Sequence, residues 1–289
     1  MERQVIIDDK NSLLGQTRRL LRRYGLHARK GLGQHFLIDP EALRLSIEAA
    51  TLTSNDTVVE IGPGLGILTE ALAQRVKRVI AVEVDTRISS MLSERFSENP
   101  VVTILNADVL AFDPKAVLKE DTTYKVVANL PYYIAAPILR RFLEAEAKPQ
   151  RMVVMVQKEV AESIVAKPGQ MSLMSVSVQL YSKPSIVSYV SAKSFYPPPK
   201  VDSAVMAIDV YHQPVVAVDV PRFFEVVRAG FSAPRKQLRN SLAQGLSIPL
   251  DVSSQVLILS EISPQRRAQT LSLEEWAVLA RAIEDRGID

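Results

Sequence analysis

Short apolar runs alternate with amphipathic segments between Thr57 and Val165, and this alternation constrains the fold more than any other feature of the chain. It predicts strands at 57–61, 78–83, 101–105, 124–128 and 151–156, and helices at 66–76, 87–96, 136–146 and 158–165. Strands that alternate with helices are typical of a parallel, doubly wound sheet. Right-handed crossovers bring the carboxyl ends of such strands to one edge, where ligands bind. We therefore predict an α/β fold with a Rossmann-like sheet.

The pattern loosens after Gly169 and becomes helical towards the C-terminus. Strands are predicted at 185–190 and 203–210, and helices at 171–181, 221–230, 235–243, 252–259 and 273–286. On this basis we predict two domains. A large α/β domain covers 1–212 and includes a basic N-terminal extension over 1–35, and a small all-helical domain covers 213–289.

Composition excludes several kinds of chemistry. The 289 residues include no cysteine, which excludes disulfides, thiolate zinc sites and cysteine nucleophiles, and we predict no metal site. A net charge of +3 and a pI of about 9.0 are compatible with a polyanionic partner but do not require one. The polar, acidic start differs from a signal peptide, and no apolar run approaches the ~18 residues of a membrane helix. We expect a cytoplasmic monomer that does not bind membranes.

A glycine motif, Glu60-Ile-Gly-Pro-Gly-Leu-Gly66, directly follows the first predicted strand of the alternating region and opens a helix. Glycines at alternate positions, beginning with Gly62, let the backbone turn sharply and approach a ligand. The spacing differs from the dinucleotide fingerprint, whose third glycine comes one position later. A carboxylate ahead of the glycines suits a cofactor with a positively charged amino-acid end, although a plain tight turn would also explain the glycines.

Polar side chains follow the next predicted strands at the same edge of the sheet. Glu83 ends the second strand, where a carboxylate can accept hydrogen bonds from two ribose hydroxyls, and Asp85 beside it is a rival for that role. Asp108 follows the third strand, where it can accept from an adenine amino group, and Asn129 ends the fourth. Together with Glu60 they predict a nucleoside-containing cofactor.

The motif Asn129-Leu-Pro-Tyr132 indicates chemistry on an exocyclic amine. The N6 lone pair of adenine is delocalised into the ring, so two acceptors that hold its hydrogens help the nitrogen attack. The Asn129 side-chain oxygen and a backbone carbonyl at Leu130 or Pro131 are the predicted acceptors. Pro131 stiffens the loop, and Tyr132 offers a ring on which a flipped base can stack.

A second loop, Ser194–Ser203, contains three consecutive prolines before the last predicted strand. A stiff loop of this kind would hold Phe195 in place, and its ring is predicted to cover the other face of the base. A purely structural proline loop is the alternative interpretation.

These motifs occur together in one known family. The chain resembles the rRNA adenine N6-methyltransferase family, and within it the small-subunit adenine dimethyltransferases. The resemblance runs nearly end to end, through Lys30–Leu37, the glycine loop, Glu83, Asp108, Asn129–Tyr132, Gln157–Val160, Phe195–Val201 and Gly230–Leu242.

The resemblance implies S-adenosylmethionine as cofactor and two adjacent adenosines as substrate, in the 3′-terminal hairpin of 16S rRNA within an immature small ribosomal subunit. It implies a cofactor-binding catalytic domain followed by a helical RNA-recognition domain. By position, the implied cofactor contacts are His35, Leu37, Gly62, Glu83, Asp108 and Asn129. The implied base contacts are Asn129, Pro131, Tyr132 and Phe195.

The chain departs from the family pattern at two positions. His35 and Tyr133 stand where asparagine is common. Histidine can still hydrogen-bond the methionine end of the cofactor, and its protonation would make binding depend on pH. A second tyrosine would alter the packing around the base.

Basic residues at both ends of the chain are candidates for RNA contact. They are Arg18, Arg19, Arg22 and Arg23 in the N-terminal extension and Arg235, Lys236 and Arg239 in the helical region, with Arg266 and Arg267 as weaker candidates. Phosphate contacts by such residues weaken steeply as salt rises. A solvated amphipathic helix explains the N-terminal group equally well.

Two alternative functions remain open from the sequence. An erythromycin-resistance-type methyltransferase would act on 23S rRNA with the same cofactor site. A non-catalytic RNA-binding assembly factor on the same fold would have no need of the Asn129–Tyr132 motif, which is intact here. A DNA adenine methyltransferase is disfavoured by the motifs near both ends of the chain.

Overall fold

The computed structural model describes residues 12–118 and 123–287 and divides them into two compact units. The first unit contains the described residues up to Ala161 together with Ser185–Val210, and the second contains Glu162–Pro184 together with those from Tyr211 onward. The first eleven residues of the predicted N-terminal extension lie outside the described residues.

Nine strands and twelve α-helices are found within the described residues. The strands are β1 (Phe36–Leu37), β2 (Thr57–Ile61), β3 (Arg78–Glu83), β4 (Val102–Asn106), β5 (Tyr124–Asn129), β6 (Arg151–Gln157), β7 (Ser182–Val190), β8 (Phe195–Tyr196) and β9 (Ser203–Val210). The helices are α1 (Leu13–Arg23), α2 (Pro40–Ala49), α3 (Ile67–Ala73), α4 (Thr86–Arg95), α5 (Pro114–Val117), α6 (Ala135–Glu144), α7 (Lys158–Ile164), α8 (Leu173–Gln179), α9 (Val220–Phe231), α10 (Leu238–Gly245), α11 (Leu250–Leu259) and α12 (Leu273–Glu284).

The main sheet has seven strands in the order β4-β3-β2-β5-β6-β9-β7. The first five in this order are mutually parallel, and β9 runs antiparallel to β6. The chain passes outward from β2 to β4 and then returns to β5 on the other side of β2. Such a reversal leaves a crevice at the carboxyl ends of the strands, between β2 and β5, where doubly wound folds bind ligands. The predicted α/β sheet is therefore confirmed.

Burial explains why the parallel strands could be located from the sequence. All five residues of β2 are buried, as expected for a strand covered on both faces. Its Val58 packs in one apolar cluster with Val79, Val127 and Val153 of the neighbouring strands. These continuous β-branched runs predicted β2 and β3 at their observed bounds, while β4 begins one residue later than predicted.

Several observed elements differ from the predicted ones. Helix α2 was not predicted, although Asp39 caps its N-terminus and Pro40 occupies the first turn. Helix α10 starts at Leu238 rather than at Arg235, because 234–236 form a turn in which the Lys236 N–H donates to the Ala233 carbonyl. The short strands β1 and β8 pair antiparallel, with Leu37 opposite Phe195, a long-range contact that no local pattern reveals.

The second unit is helical and buries Trp276 completely at its centre. Gly230 in α9 lies against the indole ring, where an added Cβ would overlap Trp276. Helix α8 belongs to this unit, although its residues fall within the predicted first domain. The division at residue 212 stays a prediction. Among the described residues, no helix combines the length and the apolar character that crossing a membrane requires.

Candidate active site

A cavity of about 370 Å³ lies in the first unit, at the carboxyl edge of β2, β3 and β5. All the predicted cofactor and base residues except Phe195 line its wall. They are His35, Leu37, Gly62, Glu83, Asp108, Asn129, Pro131 and Tyr132. Residues from separate stretches of sequence are thus brought to one site by the parallel sheet and the short β1 strand.

The glycine loop between β2 and α3 forms the floor of the cavity. Gly62, Gly64 and Gly66 all have positive φ, at +63°, +55° and +79°. This region favours glycine because the Cβ of any other residue makes the conformation energetically costly. An added Cβ on Gly66 would lie 2.7 Å from the Leu92 side chain, and one on Gly64 would lie 3.2 Å from the Phe36 ring. The loop therefore needs glycine for both its backbone shape and its close packing.

Glu60 is a buried carboxyl group at the end of β2, only 1% exposed, on the cavity wall. Burial raises its pKa to about 8, and the nearby negative charge of Glu83 adds to the shift. Its Oε2 atom has no hydrogen-bond partner among the described residues. An unpartnered buried acceptor is costly, so a cationic group of a ligand fits this position.

Glu83 and Asp85, the rival carboxylates after β3, have different environments. Glu83 lines the cavity, and burial raises its pKa although the Asp85 N–H donates to its Oε1 at 2.9 Å. Asp85 is the N-cap of α4 and accepts from the Arg87 N–H. It also lies 3.5 Å from the Arg29 guanidinium. Because Asp85 is committed to these partners, the structure favours Glu83 as the ligand-binding carboxylate.

Asp108 follows β4 and keeps one oxygen for a ligand. Its Oδ1 accepts from the Leu110 N–H at 2.9 Å, which fixes the side chain at the cavity wall. Leu110 and Val84, 37% and 53% exposed, also line the cavity. Exposed aliphatic side chains beside acidic ones suit a flat ring with polar edges. Sequence analysis did not identify these two residues, because single aliphatic residues after a strand carry no motif.

A hydrogen bond from its amide nitrogen fixes the orientation of the Asn129 side chain and leaves its amide oxygen towards a ligand. Its Nδ2 donates to the His35 carbonyl at 3.1 Å, so its Oδ1 is the atom that remains to accept from a ligand. The Pro131 carbonyl already accepts from the Ile134 N–H at 3.1 Å. Of the two backbone acceptors that the sequence left open, this favours the Leu130 carbonyl.

Tyr132 is held at both its ends. Its hydroxyl lies 2.6 Å from the Ser203 Oγ, and burial raises its pKa, so the phenol is neutral at ordinary pH. Its ring stacks with the His35 ring at a centroid distance of 5.9 Å and an interplanar angle of 20°. Ser203 is a supporting residue that the sequence did not single out. Tyr133, in contrast, is 58% exposed and lies against Gly33.

Phe195 is placed differently from the prediction. It is 2% exposed and packs in the apolar cluster with Val190 and Val205. The described residues along the cavity wall do not include it. A buried ring has to move before it can cover a base, so the structure gives no support to the stacking role predicted for Phe195.

The basic candidates differ in how available they are for RNA. Arg19, Arg22 and Arg23 project from α1 into solvent, whereas Arg18 is half-buried, 5.6 Å from the centroid of the Tyr196 ring. In the second unit Arg235 and Lys236 are exposed, and Arg239 is half-buried.

The weaker candidate Arg266 has a structural role in the second unit. Its guanidinium binds Glu275 at two positions and donates to the Thr270 carbonyl at 2.6 Å. Glu275 also accepts from the Ser272 N–H in the capping box of α12. This arrangement joins the loop to the helix and gives Arg266 a structural role, while an RNA contact at Arg266 stays a prediction. Within the described residues no cluster of side chains suitable for a metal ion is found.

The sequence matches the model of one protein family, described as ribosomal RNA adenine dimethylase, over residues 25–279. A ribosomal RNA small subunit methyltransferase A of Dehalococcoides mccartyi strain BAV1 is 48% identical, with 95% of each chain covered. The protein of the same name from Geobacillus sp. strain WCH70 is 41% identical, with 93% of this chain and 96% of the relative covered.

Two solved structures resemble most of this chain. A dimethyladenosine transferase from Plasmodium falciparum is 25% identical, with a TM-score of 0.75 and coverage of 88% of this chain and 98% of that one. The 23S rRNA methyltransferase ErmE is 27% identical, with a TM-score of 0.67 and coverage of 86% and 99%. Both similarities extend over most of the chain.

Proposed function

We propose, from the premise that this chain belongs to the ribosomal RNA adenine dimethylase family, that it methylates N6 of adenosine in small-subunit rRNA, with S-adenosylmethionine as methyl donor. The observation that carries the chemistry is the orientation of Asn129, whose Nδ2 is bound to the His35 carbonyl and whose Oδ1 is left as an acceptor. The finer proposal is a substrate of two adjacent adenosines in the 3′-terminal hairpin of 16S rRNA, each dimethylated.

The residues along the cavity fit the proposed cofactor. Glu60, with its unpartnered buried oxygen, would hold the ammonium group, and the backbone at Gly62 would approach the methionine moiety. Glu83 would accept from the ribose hydroxyls and Asp108 from the adenine amino group, with Val84 and Leu110 against the faces of the ring. His35 and Leu37 are further proposed contacts, from the family resemblance.

The protein's part in methyl transfer is to position the amine. The Asn129 Oδ1 and the Leu130 carbonyl accept the two N6 hydrogens, which favours a pyramidal nitrogen with its lone pair free. Tyr132 stacks on the base, and Ser203 fixes the tyrosine. S-adenosylmethionine supplies an activated methyl group, so orientation provides most of the rate gain. No strong general base is required, because the amine becomes acidic as it is alkylated.

The remaining parts of the proposal concern the partner. The exposed arginines of α1 and the basic residues at 235–239 bind phosphates of the rRNA. The enzyme acts as a monomer, in the cytoplasm, on an immature small ribosomal subunit. A role as an assembly factor accompanies catalysis rather than replacing it, since the Asn129–Tyr132 motif is intact in the sequence.

Transfer of labelled methyl groups to purified subunits tests the proposal. Small and large subunits from a strain without these methyl groups are incubated with the protein and labelled S-adenosylmethionine. We expect label in the small-subunit rRNA, with two dimethyladenosines per particle at completion. Label confined to large subunits would establish the 23S alternative, which the similarity to ErmE keeps worth testing. No label in either subunit, with cofactor bound, would support the non-catalytic alternative.

A further inference from the structure

One wall of the cavity is formed by a continuous stretch of chain, Leu32–Leu37, and every residue of this stretch lines the cavity. Its last two residues form the short strand β1, whereas 33–35 belong to neither a helix nor a strand. A wall without regular backbone hydrogen bonds needs other contacts to keep its shape. The side chain of Gln34, in the middle of the wall, makes such contacts.

The amide group of Gln34 is bound at both its ends. Its Oε1 accepts from the Arg29 N–H at 2.8 Å, and the backbone N–H of Gln34 donates to the Arg29 carbonyl at 3.3 Å. These two bonds close the turn over 29–34. Its Nε2 donates to the Asp85 Oδ2 at 3.4 Å. The turn is thereby joined to the start of helix α4.

Asp85 uses its two oxygens for different purposes. Its Oδ1 accepts from the Arg87 N–H at 3.1 Å as the N-cap of α4, and its Oδ2 faces Gln34 and the Arg29 guanidinium. Although burial of this carboxyl opposes ionisation, hydrogen bonds from Arg87 and the charge of Arg29 keep the pKa of Asp85 below its usual range. The group that holds Gln34 is therefore a charged acceptor.

The contact between Asp85 and Gln34 lies between two parts of the proposed site. On one side the Asp85 N–H donates to the Glu83 Oε1 at 2.9 Å. On the other side Gln34 directly precedes His35, whose carbonyl accepts from the Asn129 Nδ2 at 3.1 Å. A displacement of Gln34 would carry the His35 carbonyl with it and release the amide of Asn129.

From these contacts we propose that Asp85, through Gln34, positions the His35 carbonyl and with it the Asn129 side chain for methyl transfer. Neither Asp85 nor Gln34 touches the reacting atoms, so both are positioning residues. This inference rests on the proposed function and adds to it the pair of side chains that keeps the Asn129 oxygen aimed at the amine.

An exchange of the amide and the carboxylate tests the pair. Gln34→Glu leaves two carboxylates facing each other. Asp85→Asn leaves one oxygen, which cannot both cap α4 and accept from Gln34, although asparagine caps helices as well as aspartate does. In the double variant Gln34→Glu, Asp85→Asn, the new amide donates to the new carboxylate, and the N–H groups of Arg29 and Arg87 keep their acceptors. None of these changes removes the Asp85 N–H that holds Glu83.

Matched controls make the same chemical changes elsewhere in the first unit. Asp113→Asn alters another N-cap aspartate, which is exposed and accepts from the Lys115 N–H at the start of α5. Gln74→Glu adds a negative charge at an exposed position outside the cavity. Both controls are expected to match the wild type.

The main readout is the single-turnover rate of methylation of small subunits, with S-adenosylmethionine and subunits both saturating, at a temperature where every variant is folded. We expect each single variant to be slower by at least about fivefold, the size of effect expected when one hydrogen bond is lost. The double variant should return to within about twofold of the wild type. A contact that only stabilised the fold would change the unfolding temperature and leave this rate unaltered.

Two results would overturn the inference. One is a pair of folded single variants with the wild-type rate at saturation, even if they bind S-adenosylmethionine more weakly, because the contact would then serve the cofactor alone. The other is a double variant no faster than the slower single variant. If Asp85→Asn does not fold, Gln34→Glu and the double variant decide. Failure of the wild type to methylate small subunits is a different result and contradicts the proposed function itself.

Discussion

At the scale of single residues, the site depends on polar atoms that the fold leaves without partners. Glu60 carries a buried oxygen with no partner among the described residues, and Asn129 retains a free acceptor because its other end is bound. The sequence predicted both residues, since each stands at a strand end beside a motif. It could not predict that Phe195 is buried in the core or that Ser203 supports Tyr132, because both follow from side-chain packing between distant segments.

The pKa of Glu60 leads to a prediction about stability. Its pKa is about 8 when folded, against 4.5 for an ordinary glutamate, so the folded protein retains a proton that the unfolded chain has released. Stability therefore falls as pH rises from about 4.5 to 8. We expect Glu60→Gln, without cofactor, to unfold at a higher temperature than the wild type at pH 9.

The same variant should differ little from the wild type near pH 5, where Glu60 is largely protonated in the folded state. Thermal unfolding at several pH values measures the difference. Binding of a cationic cofactor favours the ionised carboxylate, so Glu60→Gln should also bind S-adenosylmethionine more weakly at pH 8. A constant stability difference from pH 5 to pH 9 would show that Glu60 does not titrate in this range.

Asn129 is the residue whose loss should affect methyl transfer most selectively. Asn129→Ala removes an acceptor placed for the reacting amine, and loss of one such preorganised group typically costs about 10²–10³ in rate. We expect single-turnover methylation of small subunits to fall by at least about 100-fold, with an unchanged unfolding temperature. Asn129→Asp retains an oxygen acceptor and should recover part of the rate. Wild-type turnover by Asn129→Ala would contradict the proposed chemistry.

At the scale of elements, buried parallel strands were the easiest to predict and irregular contacts the hardest. Apolar runs located β2 and β3 at their observed bounds, because strands covered on both faces need such runs. Helix α2 was missed although its capping signals are present in the sequence. Strands β1 and β8, which bring His35 beside the proline loop, are two residues long and depend on a pairing across the chain.

The glycine loop gives a prediction about an element rather than about chemistry. Gly66→Ala forces a Cβ into positive φ and against Leu92, whereas Gly25→Ala meets the same backbone restriction with nothing within 4 Å. A left-handed residue other than glycine costs roughly 1–2 kcal/mol. We expect denaturant unfolding to show a loss of that size for Gly25→Ala and a larger loss for Gly66→Ala. Equal losses would mean that the loop packs less tightly than described.

Helix α1 is predicted to bind RNA through its exposed arginines. Removal of one arginine–phosphate interaction should reduce the dependence of log K on log salt by about 0.7–0.9. We therefore expect the double variant Arg22→Ala, Arg23→Ala to weaken small-subunit binding and to reduce this slope. The matched control is Arg75→Ala, Lys77→Ala, which removes the same charge from other exposed positions. Equal effects of the two double variants would indicate non-specific attraction only.

At the scale of the whole molecule, the fold and the family were predictable, and the arrangement within the helical unit was less so. The alternation of strands and helices determined the sheet, and motifs spread over the chain identified the family that the match to residues 25–279 confirms. Helix α8 groups with the C-terminal helices rather than with the sheet. Sequence order alone placed this helix in the first domain. Tertiary contacts, which the sequence does not show, decide which unit a short connecting helix joins.

The central claim is that this protein places N6,N6-dimethyladenosine in small-subunit rRNA. Primer extension across the 3′ end of 16S rRNA measures it directly, since dimethylation blocks base pairing and stops the polymerase. In cells that lack the protein, we predict that two adjacent stops at the 3′-terminal hairpin disappear, and that they return with the wild type and stay absent with Asn129→Ala. Stops that persist in cells without the protein would contradict the account.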